Sequence, residues 1–191
     1  MKKNLIFKQF IKNPTGIGAL CSSSPALSRE MVADINISWS RSVVELGPGT
    51  GAITNVILES IRPGSEFFAI ELDPAIYEEF KHRFPNVKIF NDSASNMGKI
   101  IKKHGMNKVD TIISGLPWAS FPHSLQREIM HPVLENLNEG GYFTTFAYIQ
   151  GVFIPSARRF RKFLSESFSS VETSRVIWSN LPPAFVYRCR K

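Results

Sequence analysis

The sequence predicts an α/β protein built on a doubly wound, mostly parallel sheet. Three observations carry that expectation. Short apolar runs alternate with amphipathic helical stretches from about residue 41 to the end of the chain. The first run, Val43-Val44-Glu45-Leu46, opens onto a glycine-rich turn, Gly47-Pro48-Gly49-Thr50-Gly51, followed by the helical pattern Ala52-Ile53-Thr54-Asn55-Val56-Ile57-Leu58. Carboxylates also stand at the ends of three successive runs, as Glu45, Glu71 and Asp92. In open α/β sheets that carboxyl edge is where ligands bind.

Glycines suit such a turn because the backbone must bend sharply and lie against a ligand with no Cβ in the way. The helix behind them offers unpaired N–H groups to a carboxylate or phosphate. Gly47, Gly49 and Gly51 make G-x-G-x-G, one residue shorter than the dinucleotide fingerprint, so a pyrophosphate cradle is disfavoured. Glu45 would repel a phosphate but suits the ammonium of an amino acid. Glu71, twenty residues past Gly51, is placed to hold ribose hydroxyls. Asp92 can accept from an adenine amino group. Amino-acid tail, ribose and adenine together describe S-adenosylmethionine. The competing reading is a plain glycine turn with three solvated acids. The cofactor-binding set is therefore Glu45, Gly47, Gly49, Thr50 and Gly51 at the first turn, with Glu71, Leu72, Asp92 and Ser93 at the next two strand ends. Ser23, Ser24 and Ser114 complete it.

At 191 residues the chain is expected to form one domain, with residues 1–40 as N-terminal helices and cofactor lid and 41–191 as catalytic core. Its 43% apolar and 20% charged content places it among soluble globular chains rather than disordered ones. A net charge of +7 calls for an anionic partner: nucleic acid, acidic lipid headgroups or a soluble anion. Cys21 and Cys189 lack metal-ligand spacing, so no metal site or disulfide scaffold is expected. No apolar run approaches the roughly 18 residues of a membrane span. Lys8, Gln9 and Lys12 interrupt any secretory apolar region behind Met1-Lys2-Lys3, so the N-terminus is expected to stay in the mature chain.

Residues 1–13 read as a short amphipathic helix, with Ile6, Phe7, Phe10 and Ile11 on one face and Lys8 and Lys12 on another. Such a stripe either packs on the domain's own surface or lies in a bilayer interface with its lysines on acidic headgroups. Gly16 to Pro25 is a small-residue loop, able to cap the next helix or to lie over the cofactor. Ser24-Pro25 starts that helix, through Leu27, Met31 and Val32. The second strand is 65–70; Asp73-Pro74 then caps a helix with Ile76, Tyr77 and Phe80. Strand 87–91, helix 95–104, strand 109–114, helix 124–137 and strand 142–148 follow. A basic helix, 156–168, precedes two closing strands, 171–178 and 184–190, whose short link suits an antiparallel hairpin.

Over residues 41–190 the chain resembles the class I S-adenosylmethionine-dependent methyltransferases, and most nearly the small bacterial phospholipid N-methyltransferases. The resemblance rests on the Phe-rich start with Gly18-Ala19-Leu20 and Ser23-Ser24, on Glu45 to Gly51, on Ser114-Gly115-Leu116-Pro117, and on Asn180-Leu181-Pro182-Pro183-Ala184-Phe185-Val186-Tyr187-Arg188. It implies a Rossmann-like seven-stranded sheet with an antiparallel last strand, and methylation of the amine of phosphatidylethanolamine. Ser22-Ser23-Ser24-Pro25 departs from the subgroup pattern, which has proline before the serine pair and a basic residue after it. A second resemblance is to rRNA adenine dimethyltransferases, whose corresponding turn begins with asparagine and places an aromatic after proline to stack on the base. Here Ser114 holds the first place and Trp118 the second, either stacking on a base or packing under the loop. Those enzymes also carry a C-terminal helical domain, which this chain is expected to lack.

Methyl transfer to nitrogen rests on alignment and needs no metal. Ser114 and Gly115 are placed to orient the amine, and Tyr148, Tyr187 and Arg188 to bind a phosphodiester. His123 is either a base or a surface histidine, and Arg158, Arg159, Arg161 and Lys162 either meet a membrane or form a solvated face. The expected partners are a phospholipid substrate and an anionic membrane surface met by residues 1–13, with RNA disfavoured. A cytoplasmic monomer on the inner face of the membrane is expected. The alternatives are an rRNA adenine N6-methyltransferase and a non-catalytic cofactor-binding or membrane-adhering module.

Overall fold

The computed structural model describes residues 23–191. The amphipathic stretch expected over 1–13, the small-residue loop up to Ser22, and Cys21 lie outside them. Helix α1 (Pro25–Val32) leads into β1 (Ser42–Leu46), and strands and helices then alternate: α2 (Ala52–Ser60), β2 (Glu66–Glu71), α3 (Pro74–Arg83), β3 (Lys88–Asn91), α4 (Met97–Lys103), β4 (Val109–Ser114), α5 (His123–Asn136) and β5 (Leu137–Tyr148). Helix α6 (Pro155–Ser167), β6 (Ser170–Thr173) and β7 (Ala184–Arg190) close the chain.

All seven strands form one sheet in the order β3-β2-β1-β4-β5-β7-β6. Only β7 runs against the others, antiparallel to both β5 and β6. The order reverses between β1 and β4, so the loops leaving these two strands part and open a crevice at the carboxyl edge.

Local chemistry explains the elements. Ser24 accepts from the Leu27 amide at 3.2 Å and Pro25 fixes the first turn of α1. Asp73 caps α3 by accepting from Ala75 and Ile76. Strand β1 is buried along its whole length, as a strand with helices on both faces must be. One face packs Val44, Leu46, Ile112 and Phe143 against Trp118, Phe121, Ile129 and Leu164. The other packs Val43, Ile113 and Val186 against Leu27, Met31, Ile53 and Ile57. Each such side chain contributes roughly 1.5–3 kcal/mol.

Two boundaries differ from expectation. Strand β5 begins at Leu137, which pairs with Val109 before a register shift carries the ladder to Tyr142. The shift absorbs Gly140 at φ 76°, so the glycines there form an irregularity inside the strand instead of a turn before it. The strand expected over 171–178 stops at Thr173. The Ser174 amide still donates to the Val186 carbonyl at 2.9 Å, but the Val186 amide donates to the Ser174 hydroxyl in place of a ladder carbonyl, and Ile177 then makes an isolated bridge to Ala184.

Candidate active site at the carboxyl edge

The glycine-rich turn and the loop after β4 interlock across the crevice. Gly47 donates to the Ile70 carbonyl at 2.9 Å and Gly115 to the Leu46 carbonyl at 2.8 Å. A Cβ on Gly115 would stand 2.5 Å from the Gly47 carbonyl oxygen, so the approach of the two backbones excludes any side chain there. Gly49 differs: it holds φ +54°, and a Cβ built on it meets no atom within 4 Å. That open space beside the turn is where a ligand can lie against the backbone.

Around it stand the three acids. Glu45 and Glu71 leave the sheet on the same face, since Glu45 pairs with Ala69 and Ala69 and Glu71 are two apart on β2. Glu45 is fully buried; its Oε2 accepts from the Thr54 hydroxyl at 2.7 Å, and its Oε1 has no partner among the described residues. Burial, with the neighbouring Glu71 charge adding to it, lifts the Glu45 carboxyl to about 8, against the Thr54 hydrogen bond. Glu71 is also raised by burial, while the amides of Asp73, Gly49 and Leu72 pull it the other way. Its Oε1 accepts from the Asp73 amide at 2.9 Å. Asp92 follows β3, its amide on the Glu71 carbonyl at 3.1 Å and its Oδ1 accepting from Ser93 and Asn96.

S-adenosylmethionine fits these residues. The orphaned, buried Oε1 of Glu45, beside the Glu71 carboxyl, is a place where the ammonium of the amino-acid tail would find an acceptor. Gly49 leaves room for the tail, and Glu71 and Asp92 supply acceptors for hydroxyl and amino donors.

A family model described as ribosomal RNA adenine dimethylase matches residues 22–132. The chain belongs to this family. It is an S-adenosylmethionine-dependent methyltransferase. An ornithine lipid N-methyltransferase from Singulisphaera acidiphila is 35% identical over 97% of this chain and 94% of its own length. A ribosomal RNA small subunit methyltransferase from Arabidopsis thaliana is 27% identical over 57% of this chain, which spans only 30% of that protein. The crystal structure of an O-methyltransferase from Bacillus cereus in complex with SAH shares the fold, with TM-score 0.71 at 13% identity over 100% of this chain and 91% of that one.

The structure places the other expected site residues of the methyltransferase as follows. Ser114 is fully buried, its hydroxyl accepting from the Trp118 indole N–H at 3.1 Å and its carbonyl from the Thr145 hydroxyl at 3.0 Å. The hydroxyl therefore faces the core and not the crevice, and of the Ser114-Gly115 pair only Gly115 borders the turn. Trp118 is itself buried and stacked on Phe160 at 4.5 Å, which removes it from base stacking. Ser24 caps α1, and its amide donates to Asn180 Oδ1 at 2.9 Å; Ser23 precedes it as coil. Ser93 caps the turn after β3 through its hydroxyl. Leu72 lies in the core. Thr50 accepts on its carbonyl from Arg83 at 2.8 Å. His123 is the exposed first residue of α5.

Tyr148, Tyr187 and Arg188 do not converge. Adjacent strand residues alternate faces, so Tyr187 packs on the Trp118 side, while Arg188 and Tyr148 belong to the α1 side. Burial raises the Tyr187 hydroxyl pKa. Arg188 is 6% exposed; it pairs with Glu30 and donates from Nε to the Ala33 carbonyl at 2.7 Å. It fastens α1 to β7 instead of binding a substrate. Replacing it with methionine leaves Glu30 against an apolar strand and should lower stability by roughly 3 kcal/mol in urea melts, with part of the loss recovered by adding Glu30→Gln. Equal midpoints for Arg188→Met and wild type would refute that role.

Thr54, Asn96 and Asn180 were not among the site residues expected from the sequence. Thr54 carried a readable signal: it lies in the first turn of α2, facing the strand end that precedes the glycines. Asn96 lies four residues past Asp92 and bonds it locally, whereas Asn180 carried no signal, because its partner Ser24 is 156 residues away.

Proposed function

We propose that this methyltransferase transfers methyl groups to the amine of a lipid headgroup, with phosphatidylethanolamine and its mono- and dimethyl forms as acceptors. The observation that carries the reading is the similarity to an ornithine lipid N-methyltransferase along nearly the whole of both chains. Ornithine and ethanolamine headgroups share a primary amine held at a lipid surface. The buried state of Trp118 weighs against an adenine acceptor, since the ring at that place cannot stack on a base.

Bound S-adenosylmethionine supplies an electrophilic methyl group on a sulfonium. The chain's own part is placement. Glu45 and Glu71 draw the positively charged tail into the crevice, and the turn at Gly49 admits it against the backbone. Gly115, pressed on Gly47, fixes the loop after β4 at the mouth, where its carbonyl can accept a hydrogen bond from the acceptor amine. A primary amine is largely protonated near neutral pH, so the site must take it as the neutral form, and the apolar wall of Leu116 and Pro117 favours that form by desolvation.

The test is an acceptor screen with radiolabelled cofactor and three acceptors: phosphatidylethanolamine vesicles, ornithine-lipid vesicles and purified rRNA. Label in phosphatidylethanolamine is the expected result. Label confined to ornithine lipid narrows the acceptor to that headgroup and overturns the ethanolamine assignment; label in rRNA alone overturns the lipid reading.

A further inference from the structure

Four bulky apolar side chains stand in water beside the mouth of the crevice. Phe153 and Ile154 are 72% and 45% exposed in the loop after β5, and Trp178 and Leu181 are 75% and 77% exposed in the loop before β7. The two loops are neighbours: Tyr148 pairs with Ala184, and the Ile149 amide donates to the Pro183 carbonyl at 3.0 Å. Both sit at the carboxyl edge of β5, where Thr145 pairs with Ser114. The Ser156 hydroxyl ties the first loop to the Ala119 carbonyl at 2.6 Å, just past Leu116-Pro117. The second loop holds the start of the described chain, since the Ser24 amide donates to Asn180 Oδ1 at 2.9 Å.

Cations predominate around the rim, although Lys162 pairs with Glu166 at 3.6 Å. Residues 149–165 contain Arg158, Arg159, Arg161 and Lys162 and no carboxylate, and residues 174–183 contain Arg175 and no carboxylate. These cations are exposed. Trp39, equally exposed at 77%, lies at the opposite edge, ahead of β1.

We infer that this rim, Phe153, Ile154, Trp178 and Leu181 ringed by Arg158, Arg159 and Arg175, docks the enzyme on an anionic lipid bilayer with the crevice facing the headgroups. The inference rests on the lipid-amine reading above. Protruding apolar side chains flanked by cations suit an interface where the ring or alkyl group enters the acyl boundary and the guanidinium meets phosphate. Two of the four are aliphatic and offer no face to a stacked base, which favours lipid over RNA. An acceptor amine borne by a lipid stays at the bilayer surface, so the edge that receives it must lie against that surface.

The test is flotation of the full chain with vesicles of phosphatidylcholine alone or mixed with phosphatidylglycerol, for wild type, Trp178→Ala/Leu181→Ser, Phe153→Ser/Ile154→Ser and Trp39→Ala. Calorimetry with S-adenosylmethionine checks that each variant is folded. Wild type and Trp39→Ala should bind the anionic vesicles alike, and each rim variant should bind them roughly tenfold or more weakly. Brominated acyl chains should quench the fluorescence of Trp39→Phe but not of Trp178→Phe. Equal flotation of rim variants and wild type overturns the inference, as does loss of rRNA binding in rim variants with vesicle binding intact. Wild type assayed on phosphatidylethanolamine dispersed in detergent separates the two proposals: absence of transfer there sinks the acceptor reading, whereas flotation reports docking whatever the acceptor.

Discussion

Glu45→Gln should weaken S-adenosylmethionine binding by roughly a hundredfold or more, because the ammonium then enters a buried site without its counter-charge. The same substitution should leave the free protein at least as stable as wild type above neutral pH. The sign follows from the raised carboxyl. The ordinary value is 4.5, and in the folded protein it is about 8. Between those values the folded state keeps a proton that the unfolded chain has lost. The stability from this group is thus complete below about pH 4.5 and disappears as pH rises through about 8, a change of a few kcal/mol. Glutamine has no such slope, so urea midpoints of the variant should decline less than those of wild type from pH 5 to 8. Binding reverses the logic: an ammonium beside Glu45 favours the carboxylate. Cofactor affinity should then rise with pH as far as about 8, with release of a proton measurable by calorimetry in buffers of different ionisation heat. If Glu45→Gln binds the cofactor as wild type does, with a parallel urea profile, Glu45 is no part of the site.

The architecture was legible because its signals are local. A run buried on both faces, a glycine turn and a capped helix repeat along the chain, and that alternation admits few topologies. The misplaced boundaries arose where a tertiary partner decides. Gly140 and Gly141 look like a turn in isolation, yet the ladder from Val109 to Leu137 begins ahead of them. The apolar run 176–178 has strand character, but the hydroxyl of Ser174 takes the Val186 amide ahead of it. At the site, Glu45, Glu71 and Asp92 were readable from chemistry and position at strand ends. The acceptor side was not, since it depends on which face a strand residue takes and on what already occupies it. Ser114 turns toward the Trp118 indole, and Arg188 meets Glu30, a partner 158 residues away. No spacing rule reports such a pairing.

Gly115→Ala and Gly49→Ala separate the two uses of glycine at the crevice, and their effects should diverge. At Gly115 the added carbon would lie 2.5 Å from the Gly47 carbonyl oxygen, a backbone atom that moves only if the whole turn moves. The expected loss is about 1–3 kcal/mol in urea melts, as for overpacking elsewhere, and cofactor binding should fall with it because the displaced turn carries Gly49. At Gly49 nothing lies within 4 Å, so only the φ of +54° opposes a side chain. That costs about 1–2 kcal/mol in the left-handed region, softened by any local relaxation. Its new methyl group would instead occupy the open space beside Glu71, where the cofactor tail is placed. Gly49→Ala should therefore lose more affinity per unit of stability than Gly115→Ala, a contrast readable by pairing urea melts with calorimetry on the same preparations. Full affinity in Gly49→Ala would mean that the tail lies elsewhere, and unchanged stability in Gly115→Ala would mean that the two loops are not locked together.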